Sequence, residues 1–214
     1  TEQGHGLEEA NVQIHCAAPT GQAPLSLYDM TDDIGKYQFN NAIPIQCNYT
    51  LTPLKDNDPM NGVSTFDLVL INKHILGLQT FSSPYKIIAA DANNSRSVTT
   101  FDIVELRKLI LGIYSELPDN TSWRFVDKAY QFPDANNPFQ ENFPETKSVS
   151  NLQSNQIDDD FVAVKIGDVN TNNIPNGLME VEERTLGTLL FDVTSSAKRS
   201  DIKPGDVFTV DFTA

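Results

Sequence analysis

Hydrophobic and polar positions change period along the chain. Near the N-terminus they alternate, as in Val12–Gln13–Ile14–His15–Cys16, Lys36–Tyr37–Gln38–Phe39 and Tyr49–Thr50–Leu51–Thr52. A period of two predicts half-buried strands, and Asp32–Asp33–Ile34–Gly35 supplies a turn between them. From residue 64 the period becomes helical: Leu68, Ile71, Ile75 and Leu78 recur, and 35 places later Ile103, Leu106, Ile110 and Ile113 repeat the series. Trp123–Val126 and Phe161–Ile166 read as strands. So do Leu186–Val193 and Val207–Thr213, with Lys203–Pro204–Gly205–Asp206 as the turn between them. The expected fold class is therefore mixed and mainly β, with two short helices in the middle of the chain.

The helical stretch occurs twice in register. Val63–Ser64–Thr65–Phe66–Asp67 aligns with Val98–Thr99–Thr100–Phe101–Asp102, Lys73 with Lys108 and Gly77 with Gly112. Self-similarity at a fixed spacing marks a repeated structural unit. Each copy carries its own boundaries: Ser64 or Thr99 as N-cap, Asp67 or Asp102 three residues later as the capping-box acid, and a closing glycine suited to a left-handed residue. Helices this short are marginal alone and must bury their apolar stripes against each other or a sheet.

The residues before each helix suggest chemistry. Asp91, Asn93, Ser95, Thr99 and Asp102 place oxygens at loop positions one, three, five, nine and twelve, with Val98 at eight. Calcium takes six to eight oxygens at about 2.3–2.6 Å, and such alternation turns successive side chains inward to supply them. In the first copy Asp56, Asp58, Ser64 and Asp67 stand in register; Met60 occupies position five and Asn61 follows it. Gly167–Asp168–Val169–Asn170–Thr171–Asn172 is a partial third loop, with no helix after it. The same residues favour turns and caps without any metal. Both readings are open for Asp168 and Asn170.

A loop of the form D-x-N-x-S ending in Asp, then a helix closing on Leu-Gly, with a second copy of the unit in the chain, resembles a type I dockerin over about residues 56–113. The resemblance implies Ca2+ as cofactor, a helix pair, and a cohesin as partner. Arg96 stands where the usual loop has glycine, and Thr65–Phe66 and Thr100–Phe101 stand where dockerins present small polar residues to a cohesin. The duplicated Phe is expected to pack inside. Gly35–Lys36–Tyr37–Gln38–Phe39, then Ile43–Pro44 and Tyr49, resemble the prealbumin-like or Cna-B-type sandwiches of bacterial surface proteins. Pro204–Gly205–Asp206 with Phe208–Thr209–Val210 is similar to the opening strands of a cohesin-like sandwich. The expected division is 1–54 as an N-terminal β-sandwich, 55–113 as the dockerin-like pair, 114–184 as a loop-rich segment packing on it, and 185–214 as a C-terminal strand pair. Such a pair either continues into a larger domain or completes a neighbouring copy's sheet.

Charge narrows the function classes. With 29 acidic against 15 basic residues the net charge is −14, which disfavours nucleic acid and anionic membrane as partners and suits cation uptake. No apolar run is long enough to span a bilayer. With no signal peptide at Thr1, the chain is expected to be a mature fragment or a piece of something longer. Cys16 and Cys47 are the only cysteines. A disulfide between them fits an oxidising compartment, and buried free thiols are the plain alternative. The Phe and Pro residues of 132–144 fit either a sugar-binding surface or a loop stapled to the body. No nucleophile elbow, P-loop or zincin motif occurs, so an enzyme is not expected. The function expected is a calcium-rigidified structural or adhesive subunit of an extracellular bacterial surface protein or filament, self-associating or joined to other surface modules. The alternative is a dockerin-type module anchoring a larger secreted enzyme to a cohesin scaffold.

Overall fold

The computed structural model describes residues 1–17, 23–40 and 43–176. The expected strands of 186–214 lie outside the described residues. The fold is mixed and mainly β, with six strands in two sheets and three short helices among the described residues.

Two of the three N-terminal alternating stretches fold as strands. Strand β1 (Asn11–Ala17) is central, pairing antiparallel with β2 (Leu25–Met30) on one side and β3 (Asn48–Leu54) on the other. Val12, Ile14 and Cys16 share one buried face with Tyr49, Leu51 and Pro53 across the ladder. Tyr37, Phe39 and Ile43 pack against that face, yet 36–39 is not a strand. It is an extended cover whose Gln38 N–H bonds the Asp29 side chain, 2.6 Å, so the predicted strand is corrected here. Cys16 and Cys47 form a disulfide across this core, with Cα atoms 5.9 Å apart.

The chain then builds α1 (Thr65–Ile75), α2 (Pro84–Ala90) and α3 (Thr100–Ile110). Both repeat helices close on Gly77 and Gly112 at φ +67° and +69°. Leu78 N–H reaches back to the Lys73 carbonyl and Ile113 N–H to that of Lys108, each 2.9 Å, completing a Schellman end. Helix α2 had no counterpart among the predicted elements. It is a seven-residue helix started by Pro84 after the Ser83 cap, and its period is masked because Ile87 to Ala90 are all buried.

Strand β4 (Trp123–Asp127) pairs antiparallel with β6 (Phe161–Lys165). Val126, Val164 and Ile166 join Ile71, Ile88, Leu106 and Leu109 in the largest core. Between them β5 (Lys147–Val149) adds to the free edge of β3, making one four-stranded sheet of order β2-β1-β3-β5. Residues 1–54 thus share their sheet with a strand from the loop-rich segment. Tyr130, Phe132, Phe139 and Phe143 pack against the helical core, as the stapled-loop reading requires. Residues Thr1–Glu180 fall in one compact unit. No helix among the described residues is long and apolar enough to cross a membrane.

Candidate metal centre

The loop before α3 is organised by its two buried ends. Asp91 and Asp102 are both 0 % exposed. The Ser95 N–H bonds Asp91 Oδ1 at 2.9 Å and Asn93 Oδ1 at 3.1 Å, and the Arg96 N–H bonds Asp91 Oδ2 at 2.8 Å. At the far end Asp102 Oδ2 accepts from the Thr99 N–H, 2.7 Å, while its Oδ1 accepts from the Asn93 N–H, 3.2 Å. The loop is closed on itself, its bonds linking Asp91, Asn93, Ser95, Thr99 and Asp102. Arg96 at position six takes φ +65°, the conformation for which glycine is the usual choice. Its guanidinium donates to the Phe139 and Glu141 carbonyls at 2.7 and 3.1 Å and to Asn142, which offsets the strain.

The loop before α1 is assembled differently from the sequence reading. Asp67, 0 % exposed, caps its helix through the Ser64 N–H at 2.9 Å. Its Oδ1 accepts from Val169 N–H and Asn170 N–H, 3.0 and 3.2 Å, rather than from any residue just upstream. Asp168, 2 % exposed, accepts from Asn172 N–H on Oδ1 at 3.3 Å and from Asn173 N–H on Oδ2 at 2.8 Å. Asn172 N–H also bonds Asn170 Oδ1, 3.1 Å.

Apart from the Val169 bond, these contacts repeat those of the contiguous loop. Asp168 stands for Asp91, Asn170 for Asn93, Asn172 for Ser95, Asn173 for Arg96, Ser64 for Thr99 and Asp67 for Asp102. The left-handed residue at position four recurs too, Asn94 at φ +54° and Thr171 at +63°. One loop is continuous; the other is split, its first half supplied from a hundred residues downstream. Gly62 makes the junction: at φ +74° a Cβ there would lie 2.7 Å from Asp168 Oδ2 and 2.8 Å from the Asn173 backbone.

Asp56, Asp58 and Asn61, expected as ligands beside Asp67, make contacts of their own. Asp56 Oδ1 accepts from the Ser122 N–H, 2.7 Å. Asp58 turns the chain at φ +53°. Asn61 clamps Ile174 by a pair of 2.8 Å bonds to its N–H and carbonyl. Met60 has no oxygen for position five; in the split arrangement Asn172 stands at that position. Residues 174–176 are docked on the body through Asn61, Glu8 and Gly6. Asn172 was missed, although the oxygens at 168, 170 and 172 alternate like those at 91, 93 and 95.

Electrostatics follow from burial. Burial pushes the Asp91 carboxyl up against the lowering pull of the loop N–H groups, and Asp102 adds to the rise. Asp168 is raised for the same reasons, burial first, with Asp67 as the facing charge. Lys165, 3 % exposed, is brought down to about 8 by burial although Asp168, Asp58, Asp56 and Asp67 all pull it up. Its ammonium donates to the Pro59 and Ile166 carbonyls, 2.8 and 3.0 Å. Each loop brings two carboxylates together, the remaining side-chain oxygens being amide and hydroxyl. Among the described residues no group of three or more His, Cys, Asp or Glu is placed to hold a metal. That donor set, all oxygen and only partly anionic, fits a large hard cation better than zinc.

The duplicated Phe is also corrected. Phe66 is 56 % and Phe101 71 % exposed. Each immediately precedes the buried Asp on its helix, and a step of about 100° turns it away from the core stripe. Val69, Leu76, Val104 and Leu111 lie exposed with them. His74 sits at the boundary, stacked on Phe81 at 4.5 Å between ring centroids. No family model, curated protein or solved structure matches the chain.

Proposed function

We propose that this chain is a calcium-rigidified structural or adhesive subunit of an extracellular bacterial surface protein or filament. The observation that carries the reading is the recurrence of one loop geometry at two places, each ending in a fully buried aspartate at the head of a helix. One ion belongs to Asp91, Asn93, Ser95, Thr99 and Asp102. A second belongs to Asp168, Asn170, Asn172, Ser64 and Asp67. Buried carboxylates that face one another oppose folding unless a cation compensates them. The Cys16–Cys47 disulfide supports an oxidising, extracellular location, and the net charge of −14 disfavours nucleic acid and anionic membrane as partners. A ligand that binds only the folded state stabilises it by about 2.7 kcal/mol at a hundredfold excess over its Kd. Thermal unfolding in calcium and in chelator tests the reading: the melting temperature should fall by several degrees on chelation, and superimposable curves would refute it.

A second reading keeps the same ions but makes the chain a binding module that docks on a cohesin-like partner. The exposed Phe66 and Phe101, each with an exposed Val three residues on at Val69 and Val104, favour it, because contiguous exposed apolar side chains mark interaction sites. The expected strands of 186–214, as the route of self-association, belong to the first reading.

A further inference from the structure

We propose that the cleft between the end of β3 and the start of β4 is a binding site for a neutral saccharide. It uses none of the residues assigned to calcium and stands independently of that reading.

The cleft has a volume of about 520 Å3, within the range of about 300–1,000 Å3 usual for small-ligand sites. It is lined by Pro53 and Leu54 at the end of β3 and by residues 116–121, which join α3 to β4. This lining is fixed from behind. Asn120 donates to the Asp91 carbonyl at 2.8 Å, and the Thr121 hydroxyl to the Trp123 carbonyl at 2.7 Å. Arg124 is locked to Glu145 by two 2.8 Å bonds from Nε and Nη2, and to Asn94 Oδ1 by a third of 2.9 Å. The walls are therefore set before any ligand arrives.

The hydrogen-bonding capacity left over in this lining defines the ligand. Glu116 and Asp119 are exposed and make no hydrogen bond or ion pair among the described residues. Asp56 uses Oδ1 on the Ser122 N–H and keeps Oδ2. Beside these acceptors stands one donor with nothing to accept from it. Trp123 is 1 % exposed, and its Nε1–H is buried without a partner, which a native structure rarely tolerates for no reason. Leu7, Ala10, Phe125 and Ala163 pack with the indole and offer it no acceptor, so the cleft that Trp123 also lines is its polar side.

These demands exclude most ligand classes. An anion is repelled by the carboxylates. An ammonium only donates, so it satisfies the carboxylates and leaves the indole N–H unmet. A hydroxyl both donates and accepts, so neighbouring hydroxyls of one sugar ring answer the carboxylates and the indole together. Leu54 and Pro118 give the C–H face of such a ring an apolar surface to lie on.

Trp123 is the only tryptophan, so its indole resonance is a single reporter placed in this cleft. The probes are neutral oligosaccharides of glucose, galactose, mannose, xylose and N-acetylglucosamine. They are presented to the full chain first as an array, then singly in titrations followed by nuclear magnetic resonance. At least one should bind saturably and shift the Trp123 indole N–H. The double variant E116A/D119A should weaken that binding about tenfold or more, while the amide signals of β1–β3 stay in place and show that it has folded. Trilysine should not displace the sugar. An array that retains nothing would overturn the proposal, as would sugar binding that leaves Trp123 unmoved or is unchanged in E116A/D119A. Trilysine bound at Trp123 in place of sugar would make this a cation site and overturn it as well.

Discussion

At the scale of single residues the four buried aspartates dominate. Asp67 and Asp102 each do two jobs, capping a helix with one oxygen and tying the head of the loop with the other. Asp91 and Asp168 have carboxyls raised above the ordinary value of 3.8, burial being the first cause. A raised folded-state value means that the native chain holds more protons than the unfolded one between 3.8 and the raised value. Stability then falls as pH rises through that window, and above it the full penalty stands. Calcium-stripped protein should accordingly resist urea better as pH is lowered from 7 into that window, as far as these two groups are concerned. With calcium bound the charged forms are favoured, so acidification should weaken the protein by releasing the ion. Urea midpoints across pH, with and without calcium, check the opposite slopes. Slopes of one sign in both conditions would contradict the assignment.

At the scale of elements the repeat helices are built alike and buried unequally. Ile71 on α1 and Ile103, Leu106 and Leu109 on α3 face the core, whereas the Phe before each Asp faces out. The outward strip contributes little to folding, since surface substitutions away from caps and networks usually change stability by no more than about 0.5 kcal/mol. The double variant F66S/F101S should thus unfold within about that margin of the parent in denaturant. If the docking reading holds, the same variant loses a cohesin-like partner by at least about tenfold in titration calorimetry, an effect a core position would not show without a loss of stability. A variant that unfolds readily would place these rings in the core after all.

At the scale of the whole molecule, elements far apart in sequence complete one another. Strand β5 extends the N-terminal sheet, β6 delivers Asp168 to α1, and the aromatic loop 130–143 covers the helical core. The disulfide works at this scale by closing a separation of 31 residues, from β1 through β2 to the residue before β3. The chain-entropy relation gives about 3–4 kcal/mol for such a loop. Reduction, or the double variant C16S/C47S, should lower the denaturant midpoint by that amount. Intact-mass analysis after alkylation without reductant should find no labelled cysteine. Labelling at both, with no change in midpoint on reduction, would set the bridge aside.

What the sequence determined by itself is local. Alternation in β1 and β3, the helix pair with its caps and closing glycines, and the contiguous Asp91–Asp102 loop all rest on residues a few positions apart, where period and spacing carry the information. The first loop lay beyond that reach. Asp56 and Asp58 stand at the right distance upstream of Asp67 in sequence, but Met60 has no oxygen for position five, and in space Asp168, Asn170 and Asn172 occupy those positions instead. A half-loop without a helix and a helix without a sound half-loop were both visible in the chain. Joining them required the β4–β6 pairing, a contact of long sequence separation that no local pattern encodes. The direction of Phe66 and Phe101 was likewise decided by tertiary packing. Aromatic character argued for the inside, but the buried Asp one residue later sets the rotation of the helix, and the ring follows to the outside.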